Sequence, residues 1–258
     1  MDATAVVRTI REHETSDFLS LLCEVFDLDP SRAESVFRNE PFFDLDRKWA
    51  LFEGERMVSC LTTVPLLFAN FRAIGIAGVA TRERDRGKGF ATTLLREVLT
   101  QSDARGEGSA LLFARDEALY RRAGFETLDA VVSVSLDAAG EGGDWRTLPL
   151  TETQERYKAW AREDETRLLR DDRRWRFWSW AMKTVMTAGV GYVVCEPLRV
   201  REVLPTYVGL PPSQAGEWLG LLGMTERLGF DTRSAKVEMV LMGRGFPFVP
   251  QMFMTDQF

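Results

Sequence analysis

Residues 71–81, Phe-Arg-Ala-Ile-Gly-Ile-Ala-Gly-Val-Ala-Thr, constrain the fold more than any other stretch of this chain. From Ala73 to Ala80 every residue is apolar or glycine, so neither alternating face offers water a polar surface. Such a strand belongs in the middle of a sheet, covered on both sides. Beyond a short loop, Ala91, Leu94, Leu95 and Val98 fall at i, i+3, i+4 and i+7, with Arg96, Glu97 and Gln101 on the opposite side. That spacing predicts an amphipathic helix. A buried strand leading through a loop into such a helix is the building unit of an α/β fold.

The flanking pattern extends the unit. Ala5 to Ile10 is a β-type run, and His13 to Phe26 is helical, with Phe18, Leu21, Leu22 and Val25 on one face. Asp29-Pro30-Ser31 opens a second helix toward Asn39. Lys48–Phe52 and Met57–Phe68 flank Glu53-Gly54-Glu55, which predicts a hairpin. Ser109–Phe113 reads as a buried strand, Ala118–Ala123 as a short helix stopped by Gly124, and Phe125–Leu136 as a further strand. The glycine-rich stretch 138–144, AAGEGGD, predicts a boundary between two domains, 1–137 and 145–258. A length of 258 residues suits that division. In the second half, Thr151-Glu-Thr-Gln154 reads as a capping box opening a helix. Trp175, Trp178 and Trp180 lie on another helix, Gly191–Leu204 on two short strands, Ser213–Leu228 on a helix closed by Gly229, and Lys236–Met242 on a strand. A strand-strand-helix-strand order recurs in both halves.

Composition removes several classes of function. The net charge is −6, the wrong sign for a general nucleic-acid binder and the right one for cationic partners such as amines. Cys23, Cys60 and Cys195 are odd in number and scattered, so no disulfide framework is expected, and a reduced, cytoplasmic setting fits. The N-terminal residues are charged where a signal peptide needs an apolar run, and the absence of an 18-residue apolar run predicts no membrane span. His13 is the single histidine. A His-rich zinc site is thereby excluded, and no metal is expected. Any proton transfer falls to Tyr, a carboxylate, Lys, Cys, a chain terminus or water.

The stretch from Ala77 to Thr92 carries the chemistry. Its helix starts at glycines with no Ser, Thr, Asp or Asn in capping position, leaving the first N–H groups without partners. A phosphate satisfies such groups, because they sit at the positive end of the helix dipole. Gly87 and Gly89 remove the Cβ atoms that would block close approach, and Arg84, Arg86 and Lys88 add positive charge. Gly75 and Gly78, inside the preceding strand, predict a bulge or the close approach of another group. Neither the P-loop pattern nor GxGxxG is present. The plainer reading is a glycine-rich turn with solvated charges; the strand before and the helix after favour an anion site.

These residues resemble a family. Arg84-Asp-Arg-Gly-Lys-Gly89 is similar to the Arg/Gln-x-x-Gly-x-Gly/Ala signature of the GNAT acyltransferases, and Tyr120-Arg-Arg-Ala-Gly124-Phe125 to their Tyr-x-x-x-Gly-Phe. The resemblance covers residues 4–136. It implies a mixed-sheet α/β fold and acetyl-CoA as acyl donor. Backbone groups at Val79 and Thr81 would pair with the pantetheine arm. Arg84 and the run Arg86, Gly87, Lys88, Gly89, Phe90, Ala91 and Thr92 would hold the pyrophosphate. Tyr120 would protonate the departing thiolate, the plainer reading being that it packs beside Phe125. Phe26 and Asp27, after the first helix, stand where the family builds acceptor contacts; Asp27, Asp29, Asp44 and Asp46 read equally as solvated loop charge. Two departures are evident. The strand Ala73–Val79 lacks the carboxylate base many members carry, and Phe113 and Asp116 replace residues usual before the tyrosine.

The second half resembles the tandem GNAT arrangement of the enhanced-intracellular-survival type, on Leu168-Leu-Arg-Asp-Asp-Arg-Arg-Trp175, Gly191-Tyr192 and Leu198-Arg-Val-Arg-Glu202. There the second GNAT-like domain has lost its coenzyme loop; Gly209–Gln214 stands in that place here and lacks the signature. Residues 145–258 are then a degenerate GNAT-like domain shaping the acceptor cleft, without the sterol-carrier-like domain of that type. In that type the terminal carboxylate reaches the active site, which makes Phe258 a candidate catalytic residue; the plainer reading of the apolar tail is a strand capping the core. The tryptophans read as groove lining or, more simply, as core. The expected function is acetyl transfer from acetyl-CoA to a small-molecule or peptide primary amine. The alternative is an acyl-CoA-binding sensor or scaffold without turnover. The acceptor, the acyl-chain preference and the oligomeric state stay open.

Overall fold

In the computed structural model, which describes residues 5–136, 144–182, 184–196, 199–204, 211 and 216–258, the first half runs in the expected order. It comprises β1 (Ala5–Thr9), α1 (Thr15–Phe26), α2 (Pro30–Asn39), β2 (Lys48–Glu53), β3 (Arg56–Phe68), β4 (Phe71–Thr81), α3 (Phe90–Ala104), β5 (Ser109–Ala114), α4 (Ala118–Arg121) and β6 (Glu126–Leu136). The second half adds β7 (Arg146–Thr147), α5 (Leu150–Arg162), α6 (Asp172–Ala181), β8 (Thr184–Thr187), β9 (Val193–Cys195), β10 (Arg199–Val200), β11 (Gly216–Leu221), α7 (Leu222–Arg227) and β12 (Lys236–Arg244). Among the described residues no helix is long and apolar enough to cross a membrane.

The period of two along each strand decides what covers each face. Trp49 and Leu51 of β2, with Ile74 and Ile76 of β4, pack under Leu94, Leu95 and Val98 of α3. The intervening Ala50 and Phe52 pack on the other face with Phe18 and Leu21 of α1. β4 is therefore sandwiched, as its two apolar faces require.

The sheet joins the two halves. Its strand order is β1-β2-β3-β4-β5-β12-β6-β11-β10. β12, the last strand of the second half, lies antiparallel between β5 and β6 of the first. β6, the last strand of the first half, lies in turn between β11 and β12. Each half clasps the final strand of the other, and Val131, Val134, Trp218 and Leu241 belong to one continuous core. The stretch chosen as a domain boundary lies almost entirely outside the described residues, and one sheet runs across it.

Two local expectations are corrected. Ser213–Leu228 is not one helix: residues 212–215 lie outside the described residues, Gly216–Leu221 is a strand, and only Leu222–Arg227 is helical. Pairing with β6 buries Trp218 and Leu221 completely, and that tertiary gain overrides the local helical pattern. The Thr151 capping box does not form. α5 starts a residue earlier, behind Pro149, whose carbonyl accepts from Thr153 Oγ1 at 2.9 Å.

Candidate functional site

The site begins with a defect in the sheet. β4 pairs with β3 from Phe71 to Thr81, but with β5 only from Ala73 to Ile76. Beyond that point β5 stays with β12, through Phe113 and Ala114, and β4 leaves it. On the β3 side the register slips between Cys60 and Thr62. Gly78 sits at this bulge with φ of 60°, a conformation that favours glycine. The bulge redirects residues 77–81 and leaves their β5-facing backbone edge without a strand partner.

The loop that follows is braced from below. The Asp85 side chain is 2% exposed; it accepts from Arg56 at 2.5 Å and Lys88 at 2.7 Å. These cations, Arg56 first, hold its pKa at about 2. Arg86 Nε reaches the carbonyl of Thr81 at 3.4 Å, and the Arg84 side chain is largely exposed. Gly87 and Gly89 have φ of 78° and 83°, with open space where a Cβ would stand. α3 opens at Phe90 behind Gly89 with no side-chain cap, so the N–H groups of its first turn, including Ala91 and Thr92, point at the loop unassisted.

At the mouth of the splay lies a cavity of about 500 Å³, lined among others by Gly78, Val79, Phe113, Tyr120, Gln257 and Phe258. Tyr120 packs edge-on against Phe125, with ring centroids 6.2 Å apart, and also faces this cavity. Burial, then the neighbouring Asp116, raises its pKa above that of a free tyrosine, so the phenol is protonated at neutral pH. Phe258 comes from the other end of the chain. Its ring lies over Gly75 and 5.5 Å from that of Phe113. The two strand glycines thus have different uses: Gly78 makes the bulge, and Gly75 makes room for an aromatic ring.

Residues 6–128 match the model of the acetyltransferase (GNAT) domain. The chain carries a GNAT domain. None of the curated proteins matches the sequence. Among solved structures, a GCN5-related N-acetyltransferase from Kribbella flavida superposes with a TM-score of 0.74 at 19% identity, over 93% of this chain and 72% of that one. Eis1 from Mycobacterium abscessus gives 0.66 at 15%, over 93% and 73%. A GCN5-related N-acetyltransferase from Sphaerobacter thermophilus gives 0.60 at 12%, over 98% of both chains. The shared fold therefore extends through the second half, beyond the matched GNAT domain.

The part of the chain outside the matched GNAT domain holds the tail in place. Arg170 is fully buried and donates to Asp256 at 2.7 and 2.9 Å, to Glu202 at 2.7 and 3.0 Å, and to Thr255 Oγ1 at 3.1 Å. Tyr192 and Trp178 donate to Glu202 at 2.5 and 2.8 Å. Arg174 donates to the carbonyls of Pro65 at 3.0 Å and Asp256 at 3.3 Å, tying the tail to β3. The three stretches that carry the tandem resemblance, Leu168–Trp175, Gly191-Tyr192 and the one ending at Glu202, meet at this network. Its purpose was not legible locally, since Arg170 and Glu202 are far apart in the chain. Trp175 and Trp178 are core residues beside it; neither lines the Tyr120 cavity, although Trp175 also lines a separate pocket with Tyr157 and Arg170.

The second strand-to-helix junction is closed. Where the GNAT domain leaves the start of α3 uncapped, the start of α7 receives a carboxylate: Gly223 N–H donates to Asp129 at 3.1 Å. The expected replacement loop, Gly209–Gln214, lies outside the described residues apart from Pro211.

Phe26 lines the Tyr120 cavity, whereas Asp27 is exposed and outside it, its backbone closing α1 in the left-handed region at φ of 51°. Asp29 and Asp44 accept from the backbone N–H groups of Arg32 and Asp46 and so act as local caps. His13 is exposed and is not among the residues that line the cavity. Among the described residues no group of three or more His, Cys, Asp or Glu is placed to hold a metal ion.

Proposed function

We propose that this chain transfers an acetyl group from acetyl-CoA to a primary amine at the splay between β4 and β5. The observation that carries this reading is that Tyr120 and Phe258, from distant parts of the chain, line one cavity with the unpaired edge of β4 at Gly78 and Val79. The edge at Val79 and Thr81 suits the extended pantetheine arm, as a strand would. The open start of α3, with Arg84, Arg86 and Lys88 beside it, suits the pyrophosphate. Since Asp129 occupies the start of α7, the reading assigns one coenzyme per chain.

In the reaction the neutral amine attacks the thioester carbonyl carbon. The C–N bond forms as the carbonyl oxygen takes up charge, which a backbone N–H on the β4 edge would stabilise. The C–S bond then breaks, and the leaving thiolate takes a proton from Tyr120. The proton released by the attacking nitrogen passes to a base. β4 has no carboxylate, and the sequence-level candidate is the carboxylate of Phe258. Holding amine and thioester together supplies much of the acceleration.

The test is thiol release from acetyl-CoA with a panel of primary amines, together with calorimetry of acetyl-CoA binding. Tyr120→Phe is expected to lower kcat roughly 10²-fold or more while leaving acetyl-CoA affinity almost unchanged. Gly and Ser residues added after Phe258 are expected to slow turnover at neutral pH, and less at high pH, where the amine is already deprotonated. If both changes act at one site their losses do not add. A folded wild-type protein that binds acetyl-CoA and acetylates nothing, or a Tyr120→Phe variant with full turnover, rejects the proposal.

A further inference from the structure

The cavity that holds Tyr120 has a neighbour. A second pocket, of about 280 Å³, lies under α1 and α2 and shares Ala77, Gly78, Gln257 and Phe258 with the first. An occupant of this second pocket therefore ends beside the same residues that line the proposed transfer site. Its walls are predominantly hydrocarbon: Leu22, Val36, Phe37, Phe42, Val64 and Phe177 are representative. Leu28 and Val36 on its rim are each more than two-fifths exposed, so the apolar surface continues to the mouth.

The charged side chains that reach this pocket already have partners. Glu40 accepts from Lys48 Nζ at 2.6 Å, and Lys48 stands over the Phe37 ring at 4.9 Å. Arg174 is spent on the carbonyls of Pro65 and Asp256. Glu40 is the one side-chain carboxylate among the described lining residues and is already paired, so nothing along the apolar walls receives an ammonium, and a cation brought in there alone loses its hydration without compensation. The protein is acidic as a whole, but this pocket is not.

We infer that the acceptor is a primary amine with an uncharged, apolar body, an alkylamine or arylalkylamine, and that the pocket beneath α1 and α2 holds that body. The inference rests on the transfer reading for its chemistry and deepens it by naming the acceptor class. The size fits: a dry cavity of ~150 Å³ holds one benzene, and this one is about twice as large, suiting a chain of about six or seven carbons or a bicyclic ring. The amino group then lies toward Gly78 and Phe258, and the apolar end toward Phe37 and Phe42.

The experiment separates binding from transfer. Calorimetry on the full chain measures the affinity of n-alkylamines from propylamine to heptylamine, with spermidine and a lysine-rich peptide as polycationic probes. Each added methylene is expected to tighten binding about fourfold until the pocket is full. Spermidine and the peptide are expected to bind far more weakly than heptylamine. Ala33→Phe, on the half-buried side of α2 that lines the pocket, is expected to weaken heptylamine about tenfold or more and to leave propylamine unchanged. Val36→Lys, at an exposed rim position, gives the same order of effect if Ala33→Phe does not fold. A flat alkyl series, or polycations that bind as well as heptylamine, overturns the inference. Thiol release with the same probes then distinguishes the two readings. Heptylamine that binds but is never acetylated supports the pocket and rejects transfer. Acetylation of spermidine with no alkylamine binding supports transfer and rejects the pocket.

Discussion

The ring of Phe258 lies directly on the backbone of Gly75. A Cβ built at that glycine would stand 2.6 Å from Cδ2 of the ring, closer than two carbons can approach. The position of Phe258 thus depends on a missing side chain in the middle of β4, and Phe258 lines both the Tyr120 cavity and the apolar pocket beside it.

Gly75→Ala is accordingly expected to displace Phe258 while leaving the coenzyme loop untouched. Overpacking of this kind costs about 1–3 kcal/mol, and a shift of about 1 Å near a reacting centre can cost 10²-fold in rate. Turnover should fall by roughly one to two orders of magnitude, with acetyl-CoA affinity unchanged. Activity equal to that of the parent protein would mean that the ring position is irrelevant to turnover.

Arg170 is the second control on the tail. Arg170→Met leaves Glu202 and Asp256 buried without their cation. Removing one partner of a buried pair destabilises a protein by about 3–5 kcal/mol, which for a chain of this size is a drop of about 6–20 °C in Tm. Asp256→Asn, which keeps the hydrogen-bonding shape, should lose less and still fold. Thermal unfolding of both variants, with kcat measured on the milder one, checks the prediction. A Tm for Arg170→Met within a degree or two of the parent protein contradicts it.

The loop brace has a defined pH dependence. The pKa of Asp85 is lowered to about 2, by Arg56 first and Lys88 next. A lowered carboxylate pKa stabilises the fold above its unfolded value near 3.8, and that contribution disappears as pH falls toward about 2. Asp85→Asn should therefore be less stable than the parent protein at neutral pH, with the gap closing between about pH 4 and pH 2. Urea unfolding at a series of pH values measures the gap, and a gap that widens on acidification rejects the assignment.

The exchange of final strands predicts that the halves do not separate. A chain ended at Asp144 loses β11 and β12, so β6 has no sheet partner left and β5 gains a bare edge. Exposed edges of this kind promote aggregation. The expected result is insoluble or misfolded protein, not a working first half. A soluble fragment with native-like circular dichroism and coenzyme affinity would show that the clasp is dispensable.

The sequence alone determined what is local. The apolar strand 71–81, the glycines of the 84–89 loop and the helix after them were legible because backbone conformation, period and capping act between residues a few positions apart. The expected elements of the first half formed with nearly the expected bounds for that reason. The tertiary structure decided what depends on partners distant in the chain. Gly216–Leu221 became a strand because β6 offered it hydrogen bonds and a core for Trp218. Asp27, a reasonable contact by position, fell outside the cavity because α1 ends there in a left-handed turn. The Arg170–Glu202–Asp256 network joins charges scattered through the second half, and its burial has no periodicity to announce it. The apolar character of the pocket under α2 was equally hidden, since net charge sums over a whole surface while a binding site is set by the few side chains that fold around it.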